Sequence, residues 1–347
     1  MCCSFLSPIL DLKPRFTLNQ STRKVVLTNI QALRAFAAIN VVFYHIFGSA
    51  KNYGHPLKFF SLLETWGRNG VDLFFVISGF IMVYIQHTKP KAPCIFFGNR
   101  IARIVPLYWA ANLALVLMLV AFPSLFKELV LSSRWILSSL FFTSRIAGFE
   151  TPLIFPGWTL ELEMFFYLLF AVSLFTRHQF KAFEITTALI MACVLFLGLN
   201  RVALEFISRM LVGLIYLNGP CSVRTALIFL FFGVVTLVSS LWIHADFEYA
   251  RFIVFGVPCA FIVYGCINIV QLRNGWATRL GDASYSIYLI QMFTIPAFYK
   301  LVSRSGADLI DNDALAICCL VATTGAGLAT YLFLEKRLAT ILKAIKV

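Results

Sequence analysis

About ten separate stretches of this sequence are each long and apolar enough to cross a bilayer, which narrows the available folds more than any other feature. Crossing about 30 Å of hydrocarbon takes about 20 mostly apolar helical residues. Such runs lie at roughly 27–48, 70–87, 104–122, 157–175, 182–199, 203–218, 224–242, 251–270, 283–301 and 314–334. Hydrocarbon offers no partner to a backbone N–H or C=O, so each run is expected to satisfy its own as a helix. The expected fold is therefore all-α: a polytopic transmembrane helix bundle with about ten spans and no soluble domain. A further run, RWILSSLFF at 134–142, is too short to span. It is expected at an interface, or re-entering within the 123–156 loop. No internal repeat or low-complexity linker divides the chain. The expected division is a cytoplasmic segment 1–26, a transmembrane domain 27–334 and a cytoplasmic tail 335–347.

Composition agrees with a bilayer as the solvent. Hydrophobic residues make up 60% of the 347 residues and charged ones 13%, against about 25% charged in soluble chains. The net charge of +13 would suggest nucleic acid in a soluble protein. Here the basic residues flank the apolar runs and no Lys/Arg-rich tract occurs, so the lipid bilayer is the expected partner and nucleic acid is not. Of 29 Lys and Arg, a cytoplasmic N-terminus puts 17 on the cytoplasmic segments and 10 on the opposite ones. That bias predicts a multi-pass protein of the inner (plasma) membrane with both termini cytoplasmic, and the 123–156 and 302–313 loops outside. The nine Cys read as small apolar residues. Cys2 and Cys3 follow Met1 with no apolar stretch before them, so an ordinary cleaved signal peptide is not expected. No Walker loop, HExxH, GxSxG or GxGxxG occurs. The five His include no two at ligand spacing on one helix, so no metal is expected. Oligomeric state is not legible.

Ionisable side chains inside spans are costly and mark function by default. The runs contain Arg34, His45, Asp72, Glu161, Glu163, Glu205 and Arg209. Arg34 and His45 lie eleven residues apart, about three helical turns and about 16 Å of rise, hence on one face. Arg34 read alone is a snorkelling side chain, and His45 alone an interfacial histidine bonded to a carbonyl; sharing a face, they read as a site. Asp72 opens the second run, where the helix macrodipole favours an acid. It also lies at about the depth of His45, whose tautomer a carboxylate would fix. Arg100 and Arg103 are neighbours on the helix entering the third run. They are either a positive-inside anchor or a pair of guanidiniums suited to phosphate. Glu161 and Glu163, two apart, point to different faces, with Glu161 the better helix-capping acid. Trp158 and Tyr167 could be belt aromatics. Asp282 and Ser284 could cap the ninth run, and Gln291 in its middle needs a partner. Glu205 and Arg209, at i and i+4, read as a structural ion pair. A polar path of this kind would also suit a secondary transporter or flippase.

The segments ALRAFAAINVVFYH (32–45), GVDLFFVISGFIM (70–82), FGNRIARIVPLYW (97–109), PGWTLELEMFFYLLF (156–170), GDASYSIYLIQ (281–291) and LEKR (334–337) carry a resemblance. In order and spacing they resemble the integral membrane acyltransferase 3 family, and within it the exopolysaccharide O-acetyltransferase branch. The resemblance implies transfer of an acyl group, usually acetyl from acetyl-CoA, to a carbohydrate hydroxyl. Acyl-CoA is then a donor substrate, the carbohydrate the acceptor, and no resident cofactor is implied. His45 matches the family's essential histidine of the first run and Arg34 that run's arginine, and Asp72 and Glu163 match the acids of the second and fourth runs; the resemblance implies His45 as general base, oriented by Asp72 or Glu163. Arg100 and Arg103 match the arginines assigned to acyl-CoA. Trp158, Tyr285 and Gln291 are further pocket candidates. Gln291 stands where relatives commonly have histidine, and Glu161 where the branch often has a neutral polar residue.

Overall fold

The computed structural model describes residues 27–123, 131–176, 179–196, 205–243, 251–305 and 310–345. Among them the chain is all-helical, with a helix at each of the apolar runs. In chain order these are α1 Thr28–Asn52, α2 Asn69–Thr88, α3 Pro93–Ala121, α4 Ser133–Leu140, α5 Gly157–Ser173, α6 Gln179–Phe196, α7 Glu205–Leu217 and α8 Val223–Ser239. A π turn, Phe252–Gly256, leads into α9 Val257–Asn268; α10 Trp276–Asp282 and α11 Ser284–Ser305 follow. α12 Asn312–Thr330 runs through a second π turn, Tyr331–Glu335, into α13 Lys336–Ile345. Starts carry ordinary signals: Pro93 opens α3, and the Ser132, Ser222 and Asp311 side chains accept backbone N–H bonds at the starts of α4, α8 and α12.

Six described helices are long and apolar enough to cross a membrane: Thr28–Asn52, Ser61–Thr88, Pro93–Ala121, Gly157–Thr176, Val223–Trp242 and Asn312–Ile341. Phe206–Leu217 and Phe252–Asn268 are apolar but shorter. Their outer faces are strongly apolar: Leu113, Leu117, Val120 and Phe231 all stand exposed. A surface of that extent is a lipid surface, and the chain is a multi-pass membrane protein. The 134–142 run is the short helix α4, and Ser144 beyond it is fully buried.

α1 is the hub, packed against α2, α9, α10, α11 and α12. Small residues let these backbones approach. A Cβ on Gly281 of α10 would fall 1.9 Å from the Gln31 carbonyl oxygen of α1, and one on Gly70 of α2 would fall 2.5 Å from that of Ala37. The glycine of GDASYS is thus a contact point that fixes α10 on α1. That packing sets Arg34, three residues beyond Gln31, toward the neighbouring helices.

Candidate active site

α1, α2, α3, α5 and α11 line an open cleft of about 760 Å³ counted together with the solvent at its mouth. Arg34, Arg100, Arg103, Glu163 and Tyr285 line it, joined by Ser78, Tyr167, Ser284 and Tyr288. Its arginines lie toward the start of α1 and of α3, and its lining extends to Val71 and Thr159 near the starts of α2 and α5. Arg100 is buried, with its guanidinium 5.3 Å from the Phe96 ring centroid and 5.5 Å from that of Tyr167. Arg103 is exposed at the mouth, and Arg34 is buried at the back. The Glu163 and Glu335 carboxylates both act on Arg34, and Glu335 also on Arg103. Among the lining residues three guanidiniums face one carboxylate, Glu163, inside an apolar bundle. Arg100 Nε and Ser284 Oγ are buried without a hydrogen-bond partner among the described residues, so the cleft holds donors that a ligand could use.

Glu163 is fixed from two sides. The Ser78 hydroxyl donates to its Oε1 at 2.8 Å, the Tyr167 hydroxyl donates to the same oxygen, and the two hydroxyls lie 3.0 Å apart. Tyr167 is therefore a buried cleft residue, not a belt aromatic; its aromatic character made the two readings indistinguishable in sequence. Tyr285 lines the cleft with its hydroxyl on the Ile104 carbonyl at 2.7 Å. Glu335 was visible only as part of LEKR; it accepts from Ser286 Oγ at 2.5 Å.

His45 lies outside the cleft, toward the opposite end of α1. Its ring is half-buried, with centroids 5.8 Å from Phe155 and 5.2 Å from Tyr44. Arg34 and His45 both face the α5 side, Arg34 in the cleft with Glu163 and His45 against the residue before Pro156. Among the described residues His45 makes no hydrogen bond, so neither Asp72 nor Glu163 orients it as the sequence suggested. The Asp72 carboxylate, fully buried, is held instead by Arg251, with Nη2 at 3.1 Å and Nε at 3.3 Å, and by Arg209 at 3.8 Å. The Arg251 fork, with the Arg209 charge beside it, takes the carboxylate a histidine would have needed. Arg251 opens the eighth apolar run, and its partner is 179 residues away.

Arg209 pairs with Asp72; the Glu205 side chain, and with it the expected Glu205–Arg209 pair, lies outside the described residues. Three further readings change. Glu161 does not cap α5; it is buried and accepts from the Ser144 N–H at 3.0 Å, on a different face from Glu163. Ser284 caps nothing, its hydroxyl being unpartnered in the cleft. Gln291 donates to the Tyr288 carbonyl of its own helix at 2.9 Å, leaving Oε1 buried without a partner among the described residues, and it does not line the cleft. Trp158 is half-buried beneath the Arg251 guanidinium, 6.0 Å from its ring centroid.

A family model described as an acyltransferase domain matches residues 27–332. The chain is 34% identical over 316 residues to the exopolysaccharide production protein ExoZ of Rhizobium meliloti (strain 1021), covering 84% of this chain and 94% of that protein. It is 29% identical over 203 residues to the O-acetyltransferase OatA of Staphylococcus aureus, covering 52% of this chain and 30% of that one. Identity to the acyltransferase MdmB of Streptomyces mycarofaciens is 26% over 370 residues, covering 88% and 89% of the two chains. No solved structure matches.

Proposed function

The chain belongs to the acyltransferase family, and from that premise we propose that it moves an acyl group, acetyl in the first instance, from cytoplasmic acyl-CoA to a carbohydrate hydroxyl. The acceptor is of the exopolysaccharide, lipopolysaccharide or lipid-linked oligosaccharide class. The observation that carries the reading is the convergence of Arg34, Arg100 and Arg103 in one cleft. A cluster of guanidiniums in an apolar bundle is costly unless an anion is to be held there. The phosphates of CoA supply that anion, and the pantetheine arm has the length to carry the thioester along α1 toward His45. His45 then takes the proton of the sugar hydroxyl as its oxygen attacks the thioester carbonyl. The C–S bond breaks, and the proton passes to the departing thiolate. Glu163 is the positioning residue of the donor cleft: it offsets part of the arginine charge and fixes Ser78 and Tyr167. Purified protein given acetyl-CoA should release free CoA, faster when polysaccharide is added. Solute flux without CoA release would favour a secondary transporter or flippase instead.

Arg100→Ala and Arg103→Ala should weaken donor binding more than they slow saturated turnover. Each charge-assisted hydrogen bond lost costs ~1.5–3 kcal/mol. Lys should rescue only in part, because a point charge lacks the planar fork. Titration calorimetry with acetyl-CoA measures this, and unchanged affinity in the double variant would remove the donor role.

Ten spans, both termini cytoplasmic and residence in the inner (plasma) membrane complete the proposal; the helix at every apolar run supports the even count. Cysteines placed at Glu150 and Ile310, both exposed, in a background with the native cysteines replaced, should react with an impermeant maleimide on intact cells. Labelling only after the cells are opened would invert the topology and set the arginine cleft away from the CoA pool.

A further inference from the structure

Beyond the arginines of the cleft, a circuit of side-chain contacts and short backbone links runs through His45. Arg68 stacks on Tyr44, 5.5 Å from its ring centroid, and its Nε donates to the Tyr44 hydroxyl at 3.2 Å. The Tyr44 ring meets His45, and His45 meets Phe155. One helical turn on, the Trp158 N–H bonds the Phe155 carbonyl at 3.3 Å, and the Trp158 ring lies under Arg251. Arg251 holds Asp72, which sits four residues after Arg68 at the start of α2, so one turn of backbone closes the circuit.

Its composition is unlike that of the lipid-facing surface. Three aromatic rings, Tyr44, Phe155 and Trp158, are half-buried or exposed, and flat aromatic faces suit the C–H faces of a sugar. Two guanidiniums reach solvent: Arg68 is exposed, and the Arg251 side chain is 20% accessible where its partner Asp72 is 0%. Asp72 occupies Nε and Nη2 of Arg251, while Nη1 makes no hydrogen bond among the described residues. Asp72 therefore orients the Arg251 fork without using all of it. Bridged to a carboxylate behind and stacked on an indole, Arg251 is held in place at little further entropic cost when a ligand arrives.

We propose that this circuit is the acceptor subsite, and that it takes an anionic saccharide, a sugar carrying a carboxylate. Its carboxylate sits on Arg251 and Arg68, and its ring sits against Trp158 and Phe155, which brings a neighbouring hydroxyl to His45. The proposal rests on the acyltransferase reading for what happens next, but the binding itself does not depend on it.

The test uses the purified full chain in nanodiscs and two probes of equal length, oligogalacturonate and its carboxyl-reduced neutral counterpart, with binding read by calorimetry. The anionic probe should bind at least about tenfold tighter, with the difference shrinking as salt rises. Arg68→Gln, an exposed and structurally undemanding change, and Arg251→Gln should each remove most of that preference while acetyl-CoA affinity stays at the wild-type level. Trp158→Leu should weaken both probes alike. If Arg251→Gln fails to fold, Arg68→Gln and Arg251→Lys carry the test, the latter keeping the charge and part of the preference. Equal binding of the two probes, or full preference in Arg68→Gln together with either Arg251 variant, overturns the subsite. Preference for the anionic probe with no CoA release on any acceptor would leave the subsite standing and overturn the acyltransferase reading.

Discussion

His45→Ala should lose acyl transfer almost completely while inserting and folding as the wild type does. Loss of a general base costs ~10²–10⁴ in rate. Two histidines outside the cleft provide the contrast. His55 is buried, its Nδ1 lies 3.1 Å from Asn312 Oδ1, and its ring stacks on Tyr299; it ties the loop after α1 to the start of α12. His45 has ring neighbours but no hydrogen bond among the described residues, so the carbonyl-bonded interfacial histidine that the sequence allowed is not what is found. A histidine that holds no structure and yet sits half-buried is available for chemistry. His55→Ala should accordingly lower thermal stability with kcat retained at permissive temperature, and His45→Ala should do the reverse. Turnover measured as CoA release, alongside a melting curve for each variant, separates the two. Near-wild-type turnover in well-folded His45→Ala would end the assignment.

The helices were legible because bilayer thickness and backbone hydrogen bonding leave a long apolar run no other option. Arg34, Arg100, Arg103 and Glu163 were legible as candidates for the related reason that charge in hydrocarbon needs a purpose, and the structure brings these four into one cleft with Tyr285. What sequence could not supply is pairing. Asp72 and His45 share a depth, but depth says nothing about azimuth, and an arginine far along the chain fills the place of the histidine. Arg251 opens the turn into α9 at a span boundary, where every basic residue looks like an anchor. Tyr167 and Trp158 met the same ambiguity: an aromatic near a span end reads as belt whether it faces lipid or the bundle. Ser284 sits where a cap would, yet its hydroxyl faces the cleft, because α10 and α11 adjoin with only Ala283 between them.

Removing the Asp72 carboxylate should be the most destabilising single change to a charged group in the described bundle. Asp72 is fully buried and is the counter-charge for Arg209, itself 1% exposed, and for Arg251. Taking one member from a buried ion pair removes counter-charge from its partners and typically costs about 3–5 kcal/mol. Asp72→Ala also frees the Arg251 fork from the position in which Trp158 and Asp72 hold it, and it loosens α2 from the start of α9. Asp72→Asn keeps the shape and one acceptor oxygen, so it should be intermediate. The double variant Asp72→Leu with Arg251→Leu replaces one carboxylate and one guanidinium by apolar volume and should recover part of the stability lost in Asp72→Leu alone. Detergent-solubilised thermal unfolding across this set measures the coupling. A purely catalytic acid would predict the opposite pattern: wild-type melting in Asp72→Ala with turnover abolished. An unchanged melting temperature there would show that the Arg251–Asp72–Arg209 network does not hold α2 to its neighbours.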